Sequence, residues 1–119
     1  MVGTDIIEVS RIEGLIKDKG YKFLNKIYTQ NEIDYCESKG PNKYQHYAGR
    51  FAAKEAIIKA IGDRSPNLKN IQISNDDNGT PYVDIIPDPA FLSPSLHISI
   101  SHVEKYAVAF AYIGPLAHN

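Results

Sequence analysis

An acidic residue interrupts the apolar face of the most strongly helical stretch of the sequence. Residues 50–60 read RFAAKEAIIKA, and Glu55 falls on the same helical face as Ala48 and Phe51. A charged group inside an apolar face is unfavourable unless it is paired or bound to a cation. Two interpretations follow for Glu55: an ion pair with Lys59, four residues later, or a metal ligand.

The metal interpretation requires a second acid from another part of the chain. Mg²⁺ is commonly held by one or two carboxylates, with water and substrate phosphate oxygens as the remaining ligands. Asp5 is the best candidate, because it lies near the end of the first predicted strand, after a glycine and a threonine. Glu8 is a weaker candidate, since an acid near a helix start is favourable anyway. The alternative for Asp5 is an exposed polar residue with no ligand.

A histidine near the end of the sequence is the next group that could do chemistry. In LHISISHV, His97 and His102 are five residues apart and therefore point to opposite faces of a strand. His102 shares its face with apolar residues. An imidazole there either makes a structural hydrogen bond, or binds phosphate or moves a proton.

Basic residues form two groups. Arg50, Lys54 and Lys59 flank Glu55 and either form a solvated helix face or, beside a bound cation, clamp a pyrophosphate. The second group lies along the first helices and serves either solubility or the docking of an acidic partner helix. We call it the N-terminal basic group: Arg11, Lys17, Lys19, Lys22 and Lys26.

The first half of the chain predicts one strand followed by helices. Residues 2–9 are rich in β-branched side chains and short enough for a strand. Ser10 with Glu13, and Thr29 with Glu32, have the spacing of a helix-capping box. These pairs predict helices that begin near each serine or threonine, with a short amphipathic segment at 21–27 between them. A long helix without proline is predicted from about Asn42 to Gly62.

The second half predicts antiparallel strands. The pattern changes to period two in IQISN, YVDII, LHISISH and YAVAFAYI, and DDNGTP supplies an Asn-Gly hairpin signal between the first two. Helices come first and strands afterwards. We therefore predict an α+β fold, in which an N-terminal strand and helices, including one long central helix, precede an antiparallel β-sheet.

Composition limits the classes of function. A chain of 119 residues, of which 43% are hydrophobic and 23% charged, predicts a single globular domain over 1–119. A formal net charge of -1 argues against nucleic acid or a membrane surface as partner. The lone Cys36 forms no internal disulfide, and the early acids argue against a signal peptide or membrane span. A cytoplasmic protein is predicted.

Four segments, taken in order, resemble a known family. GTDIIEVSRIE at the start, GRFAAKEAIIKA in the long helix, NGTPY at the hairpin and SISH followed by YAVAFA are similar to holo-acyl-carrier-protein synthases. This family is the small, homotrimeric type of 4'-phosphopantetheinyl transferase. The resemblance implies Mg²⁺-dependent transfer of phosphopantetheine from coenzyme A to a serine of apo-acyl carrier protein, with adenosine 3',5'-bisphosphate as the other product, in fatty acid biosynthesis.

The resemblance also implies roles for individual residues. Asp5 and Glu55 match the family's metal ligands, and Lys59 matches the lysine that approaches the phosphates. Glu55, directly or through a metal-bound water, is the first candidate for the base that takes the serine proton, and His102 is the second. Mn²⁺ is an alternative to Mg²⁺.

Further matches concern the coenzyme and the partner protein. Arg50 and His102 match residues that contact coenzyme A, and Gly79 and Pro81 match a Gly-x-Pro turn that lies along it. Arg11 matches a contact with the acidic carrier protein. Because the family shares its sites between adjacent subunits of a trimer, Arg50 and His102 are expected to act across an interface from Asp5 and Glu55.

A function of a different class remains open from the residues themselves. If Glu55 and Lys59 form only a structural ion pair, the chain is a non-catalytic trimeric binding module. The alanine-rich faces of the long helix and last strand suit either subunit contacts or the core of one subunit.

Overall fold

The computed structural model describes residues 1–63, 65–86 and 95–115. Its first strand, β1 (Val2–Glu8), runs directly into helix α1 (Val9–Lys19). The prediction that Ser10 caps this helix is wrong, because α1 begins one residue earlier and its N-terminus has no side-chain cap. The backbone supplies a partner instead: the Val9 N–H donates to the carbonyl of Lys105 at 2.9 Å. Ser10 is thus exposed inside the first turn.

Two short helices follow, α2 (Tyr21–Ile27) and α3 (Gln30–Glu37). The predicted capping box at the start of α3 is confirmed: Thr29 Oγ1 accepts from the Glu32 N–H at 3.3 Å, and Glu32 Oε1 accepts from the Thr29 N–H at 2.8 Å. This reciprocal pair satisfies two backbone donors that the helix itself leaves without partners.

The long helix α4 (Lys43–Ile61) is the centre of the fold and agrees with the predicted span. A 3₁₀ turn (Gly40–Asn42) leads into it, and Gly62 ends it with φ of 87°, a value that favours glycine. Strand β1 lies unusually close to α4. A Cβ built on Gly3 would come within 2.0 Å of the Ala56 carbonyl oxygen, so only glycine permits this approach.

The remaining strands form two antiparallel sheets, whereas the sequence predicted one. Strands β2 (Ile71–Asn75) and β3 (Pro81–Ile85) form a separate two-stranded hairpin. Strands β4 (Leu96–His102) and β5 (Tyr106–Ile113) join β1 in a three-stranded sheet of order β1-β5-β4. Asp5 pairs with Ala109, and His102 pairs with Ala107.

The three-stranded sheet has one buried and one exposed face. On the buried face, small residues of β5 allow the sheet to pack closely on α4, whose own alanines are buried as well. The alanine-rich faces therefore belong to the core of the single chain. They are Ala107, Ala109 and Ala111 on β5 and Ala53, Ala56 and Ala60 on α4. Within the described residues, no helix combines the length and apolar character needed to cross a membrane.

Candidate functional site

The contact between β1 and α4 brings together the two acids singled out in the sequence and one lysine. Lys59 Nζ lies 3.1 Å from Asp5 Oδ1 and donates a second hydrogen bond to the Thr4 carbonyl at 3.0 Å. Among the described residues, Glu55 forms neither an ion pair nor a side-chain hydrogen bond. The predicted structural pair of Glu55 with Lys59 is therefore wrong, because the close approach of β1 at Gly3 gives Lys59 a different acid.

The electrostatics of Glu55 indicate that the two acids act on each other. Burial raises the pKa of the Glu55 carboxyl, the negative charge of Asp5 raises it further, and Lys59 opposes both effects. A bound cation stabilises a half-buried carboxylate that has a second negative charge nearby, because it offsets the repulsion between the two acids. Two carboxylates beside an open surface fit the ligand preference of Mg²⁺, which fills its other positions with water and phosphate oxygens. Within the described part of the chain, His, Cys, Asp and Glu nowhere form a larger group able to hold a metal.

A pocket on another side of α4 gathers four more of the predicted site residues. Arg50 and His102 line it together with Gly79 and Pro81 of the hairpin. The resemblance implies contact with coenzyme A for all four, which stays a prediction. Asp5, Glu55 and Lys59 do not line this pocket. The other lining residues are Tyr35, His46, Gly49, Asn75 and Ile100.

Arg50 is the charged group of this pocket and is almost completely buried, with 5% of its surface exposed. Its guanidinium lies over the ring of Tyr35, 4.0 Å from the ring centre, and Nη2 donates to Asn75 Oδ1 at 2.7 Å. Its buried Nε has no hydrogen-bond partner within the described structure. An unsatisfied donor of a buried cation suits an anionic ligand, since leaving it unpaired is unfavourable.

His102 is oriented by a neighbour on α4. Its Nδ1 lies 3.0 Å from Gln45 Oε1. With the amide assigned in this orientation, the oxygen can only accept, so Nδ1 carries the proton and Nε2 of the neutral ring keeps a lone pair. Burial and the Arg50 charge both lower the pKa of His102, which favours that neutral form. His46 packs edge-on at 4.8 Å, and burial, together with His102, Lys39 and Arg50, lowers its pKa to about 4.

The hairpin turn that faces Arg50 is held by its own side chains. Asp76 Oδ1 accepts from the backbone N–H groups of Asn78 and Thr80, both at 2.9 Å. Gly79 has φ of 82°, as a turn glycine requires, and its carbonyl accepts from Asn75 Nδ2 at 2.9 Å. The Gly-x-Pro segment is therefore held by hydrogen bonds within its own hairpin.

The family model of the 4'-phosphopantetheinyl transferase superfamily matches residues 1–111. The chain belongs to this superfamily. The resemblance inferred from four motifs is confirmed, and so is the prediction of an enzyme of this transferase type.

Two relatives show how closely the chain follows the family. A holo-[acyl-carrier-protein] synthase of Protochlamydia amoebophila is 48% identical over 115 residues, which cover 92% of this chain and 93% of that protein. The corresponding synthase of Ruminiclostridium cellulolyticum is 46% identical over 121 residues, covering 95% and 90%.

Solved structures confirm the predicted fold. The synthase of Bacillus anthracis, in complex with CoA (3',5'-ADP), has a TM-score of 0.80 at 36% identity and covers 94% of this chain and 93% of its own. The Helicobacter pylori synthase, in complex with coenzyme A, has a TM-score of 0.81 at 30% identity and covers 96% and 100%. The α+β class and the 4'-phosphopantetheinyl transferase fold are both confirmed.

The assignment of Lys54 to a phosphate clamp is wrong for this member of the superfamily. Its ammonium group is fully buried, 2.6 Å from Glu32 Oε1, and it also donates to the carbonyls of Ile27 at 2.7 Å and Leu68 at 3.0 Å. Glu32 Oε2 accepts from the Ile73 N–H. The pair joins α4 to the ends of α2 and α3 and to β2, and is part of the core.

Sequence reasoning missed three side chains around the pocket. Tyr35, Gln45 and Asn75 come from three different elements and contact Arg50 or His102. No spacing pattern links them, because their proximity arises only when α3, α4 and β2 pack together. Arg11, the predicted partner contact, lies exposed on α1 and outside both groups.

Proposed function

We propose that the protein transfers 4'-phosphopantetheine from coenzyme A to a serine of apo-acyl carrier protein in a Mg²⁺-dependent reaction. The products are holo-acyl carrier protein and adenosine 3',5'-bisphosphate. The observation that carries the proposal is the approach of Asp5, Glu55 and Lys59 where β1 meets α4, in a chain of this superfamily. The coenzyme A complexes of the Bacillus anthracis and Helicobacter pylori relatives support coenzyme A as the second substrate.

The proposed chemistry is a displacement at the β-phosphorus of coenzyme A. The serine oxygen forms the new P–O bond, the bond to the bridging oxygen of the pyrophosphate breaks, and adenosine 3',5'-bisphosphate leaves with that electron pair. Catalysis of such transfers depends on positioning of the reactants and neutralisation of charge, and less on covalent catalysis by the protein. Mg²⁺ held by Asp5 and Glu55 would supply charge neutralisation at the pyrophosphate. Lys59, whose Nζ lies 3.1 Å from Asp5 Oδ1, would neutralise the same oxygens.

The serine proton needs an acceptor, and two residues are candidates. Glu55 is the first candidate, because its carboxylate lies beside Asp5 where β1 meets α4; burial and Asp5 raise the pKa of this carboxyl only while no cation is bound. His102 is the second candidate, since its neutral ring leaves Nε2 free to accept a proton. The pocket position of His102, beside Arg50, suits contact with a phosphate of the coenzyme equally well.

The two groups of site residues are proposed to meet across a subunit interface of a homotrimer. The outer face of the three-stranded sheet supports an assembly, because large apolar side chains alternate along it; Ile6 is 66% exposed and Phe110 47%. Exposed patches of this kind mark interaction surfaces. The outer-face residues are Val2, Ile6, Tyr106, Val108, Phe110 and Tyr112.

The acyl carrier protein is proposed to dock on the first two helices. Arg11 is exposed on α1, and Lys19, Lys22 and Lys26 surround the half-buried Phe23 in a shallow pocket. Cations around an apolar centre suit an acidic partner that also presents an apolar side chain.

A cytoplasmic setting agrees with the lone Cys36, which is buried and whose pKa burial raises to about 12.

A mass measurement tests the proposal directly. Apo-acyl carrier protein is incubated with the purified protein, coenzyme A and Mg²⁺, and its intact mass is recorded before and after. We expect a gain equal to one phosphopantetheine group, and none when coenzyme A or the divalent cation is withheld. An unchanged mass in the complete reaction would reject the transferase function. The same series with Mn²⁺ compares the two cations.

A further inference from the structure

Asn75 uses both ends of its side-chain amide to join two parts of the pocket. Its Oδ1 accepts from Arg50 Nη2 at 2.7 Å, and its Nδ2 donates to the Gly79 carbonyl at 2.9 Å. Arg50 belongs to α4 and Gly79 to the β2–β3 turn, while Asn75 is the last residue of β2. One amide therefore connects two positions that are both expected to contact coenzyme A.

The guanidinium of Arg50 is held on two sides and keeps one donor without a partner among the described residues. The ring of Tyr35 covers one face, and Asn75 accepts from one edge. The buried Nε has no partner among the described residues. A guanidinium held in this way loses little freedom when an anion binds, so the remaining N–H groups are prepared for a phosphate.

The contact with Gly79 constrains the second part of the pocket. Asp76 holds the inside of the turn through the Asn78 and Thr80 N–H groups, but these bonds are internal to the hairpin. The bond from Asn75 to Gly79 and the bond from Arg50 to Asn75 together fix the turn relative to α4. The position of Arg50 and the position of the Gly79 turn therefore both depend on the Asn75 side chain.

We propose that Asn75 is a positioning residue for coenzyme A, whose amide holds the Arg50 guanidinium and the Gly79 turn at the spacing that the coenzyme requires. The proposal rests on the proposed function, since it takes coenzyme A as the ligand of this pocket. An amide is suited to the task because it presents an acceptor and a donor together. A carboxylate of the same size only accepts and repels the Gly79 carbonyl.

A double-mutant cycle on coenzyme A binding tests the proposal. Calorimetric titrations of the full-length protein with coenzyme A and Mg²⁺ compare wild type, Asn75→Ala, Arg50→Ala and the double variant. We expect Asn75→Ala to weaken binding about tenfold or more, which is the range for losing a hydrogen bond to a charged group. In the Arg50→Ala background the same change should weaken binding by less than about threefold, because residues that act together are not additive.

The matched control is Gln72→Ala, which removes an amide three residues earlier on β2, outside the residues described as lining the pocket. We expect it to bind coenzyme A like wild type. Steady-state kinetics give a second reading: Asn75→Ala should raise KM for coenzyme A and leave kcat within about threefold, as expected for loss of a binding interaction. Unchanged affinity in Asn75→Ala, or full additivity with Arg50→Ala, would overturn the proposal.

Asn75→Asp keeps the inference testable if the alanine variant folds poorly. The substitution preserves size and an acceptor for Arg50 but removes the donor to Gly79. We expect a normal unfolding transition and coenzyme A binding weakened at least as much as in Asn75→Ala. Binding equal to wild type would contradict the proposal. If wild type itself gives no heat with coenzyme A, the proposed function fails, which is a separate outcome from failure of the role of Asn75.

Discussion

Lys59 pairs with Asp5 across the contact of β1 and α4, at 3.1 Å, and Glu55, one helical turn before it, has no ion-pair partner in the described structure. Lys59 neutralises the charge of Asp5 through a direct ion pair, whereas it acts on Glu55 only through a longer-range attraction. As a result, burial and Asp5 together keep the pKa of the Glu55 carboxyl above its usual value near 4.5. An acid left in this condition has more to gain from a cation than one already paired.

The raised pKa of Glu55 predicts how stability depends on pH. In the folded chain this carboxyl binds its proton more tightly than in the unfolded chain, so the folded state holds more protons between the two pKa values. Stability due to Glu55 is therefore lost as pH rises from about 4.5 through the raised value. Urea unfolding at pH 4.5 and pH 7 should show this loss in wild type, relative to Glu55→Gln, which does not titrate.

Mg²⁺ should restore the stability that the ionised Glu55 carboxylate costs the folded protein at pH 7. If Asp5 and Glu55 hold the cation in the folded state only, added Mg²⁺ raises Tm by mass action. We expect the rise in wild type and in Glu13→Gln, which removes an exposed acid paired with Lys17, and a much smaller rise in Glu55→Gln. Equal responses in all three proteins would remove Glu55 from the metal site.

Glu55 could be singled out from the sequence because it conflicts with the apolar pattern of its own helix. Asp5 is proposed only as the second acid that a cation would need. The partner of Lys59 could not be predicted, because helical spacing suggests Glu55 and only the packing of β1 supplies Asp5. Lys54 illustrates the same limit. Nothing local separates it from the exposed Lys59, and its burial depends on Glu32 from α3 and on carbonyls of α2 and the segment before β2. Long-range contacts of this kind leave no periodic signal.

Removing one partner of the Lys54–Glu32 pair should destabilise the protein strongly. Burial lowers the pKa of Lys54 while Glu32 raises it, as expected for a charge that depends on its partner. We expect Lys54→Met to lower the free energy of unfolding by about 3–5 kcal/mol, the range for leaving a buried charge unpaired. Lys17→Met, which breaks the exposed pair with Glu13, should change it by less than about 1 kcal/mol. Urea unfolding measures both, and similar effects would contradict the core role of Lys54.

Gly3 predicts a coupled loss of stability and activity. In Gly3→Ala the new methyl group meets backbone of α4, including the Ala56 carbonyl, so β1 must move and take Asp5 with it. We expect destabilisation of about 1–3 kcal/mol, as for overpacking, and a loss of phosphopantetheinyl transfer at temperatures where the variant is fully folded.

The control for Gly3 is Gly14→Ala in α1, where a Cβ meets nothing within 4 Å. That exchange should stabilise the protein by about 0.5–1 kcal/mol, since alanine is the better helix former. Thermal unfolding and the mass assay measure both variants. A Gly3→Ala protein with normal Tm and activity would show that the close approach of β1 is not needed for the site.

The site residues form two separate groups, and this predicts that two inactive variants, each damaged in a different group, recover transferase activity when their subunits are mixed in one trimer. Glu55→Gln damages the group on β1 and α4, and Arg50→Ala damages the pocket on the other side of α4. In a trimer whose sites combine one group from each of two neighbours, mixed assemblies contain sites in which both groups are intact. Each trimer that contains both variants has about one intact site in three, because only one of its three interfaces joins an undamaged group from each neighbour.

Co-expression of the two variants under different affinity tags allows mixed assemblies to be purified through both tags in turn. We expect each variant alone to be inactive and the doubly purified mixed assemblies to recover about a third of wild-type transfer, measured by the mass of the carrier protein. The control combines Glu55→Gln with Asp5→Asn, which damage the same group and leave no intact combination. No recovery in the test mixture would place both groups of one site within a single subunit. Recovery in the control would mean that Asp5 and Glu55 of one site come from different subunits.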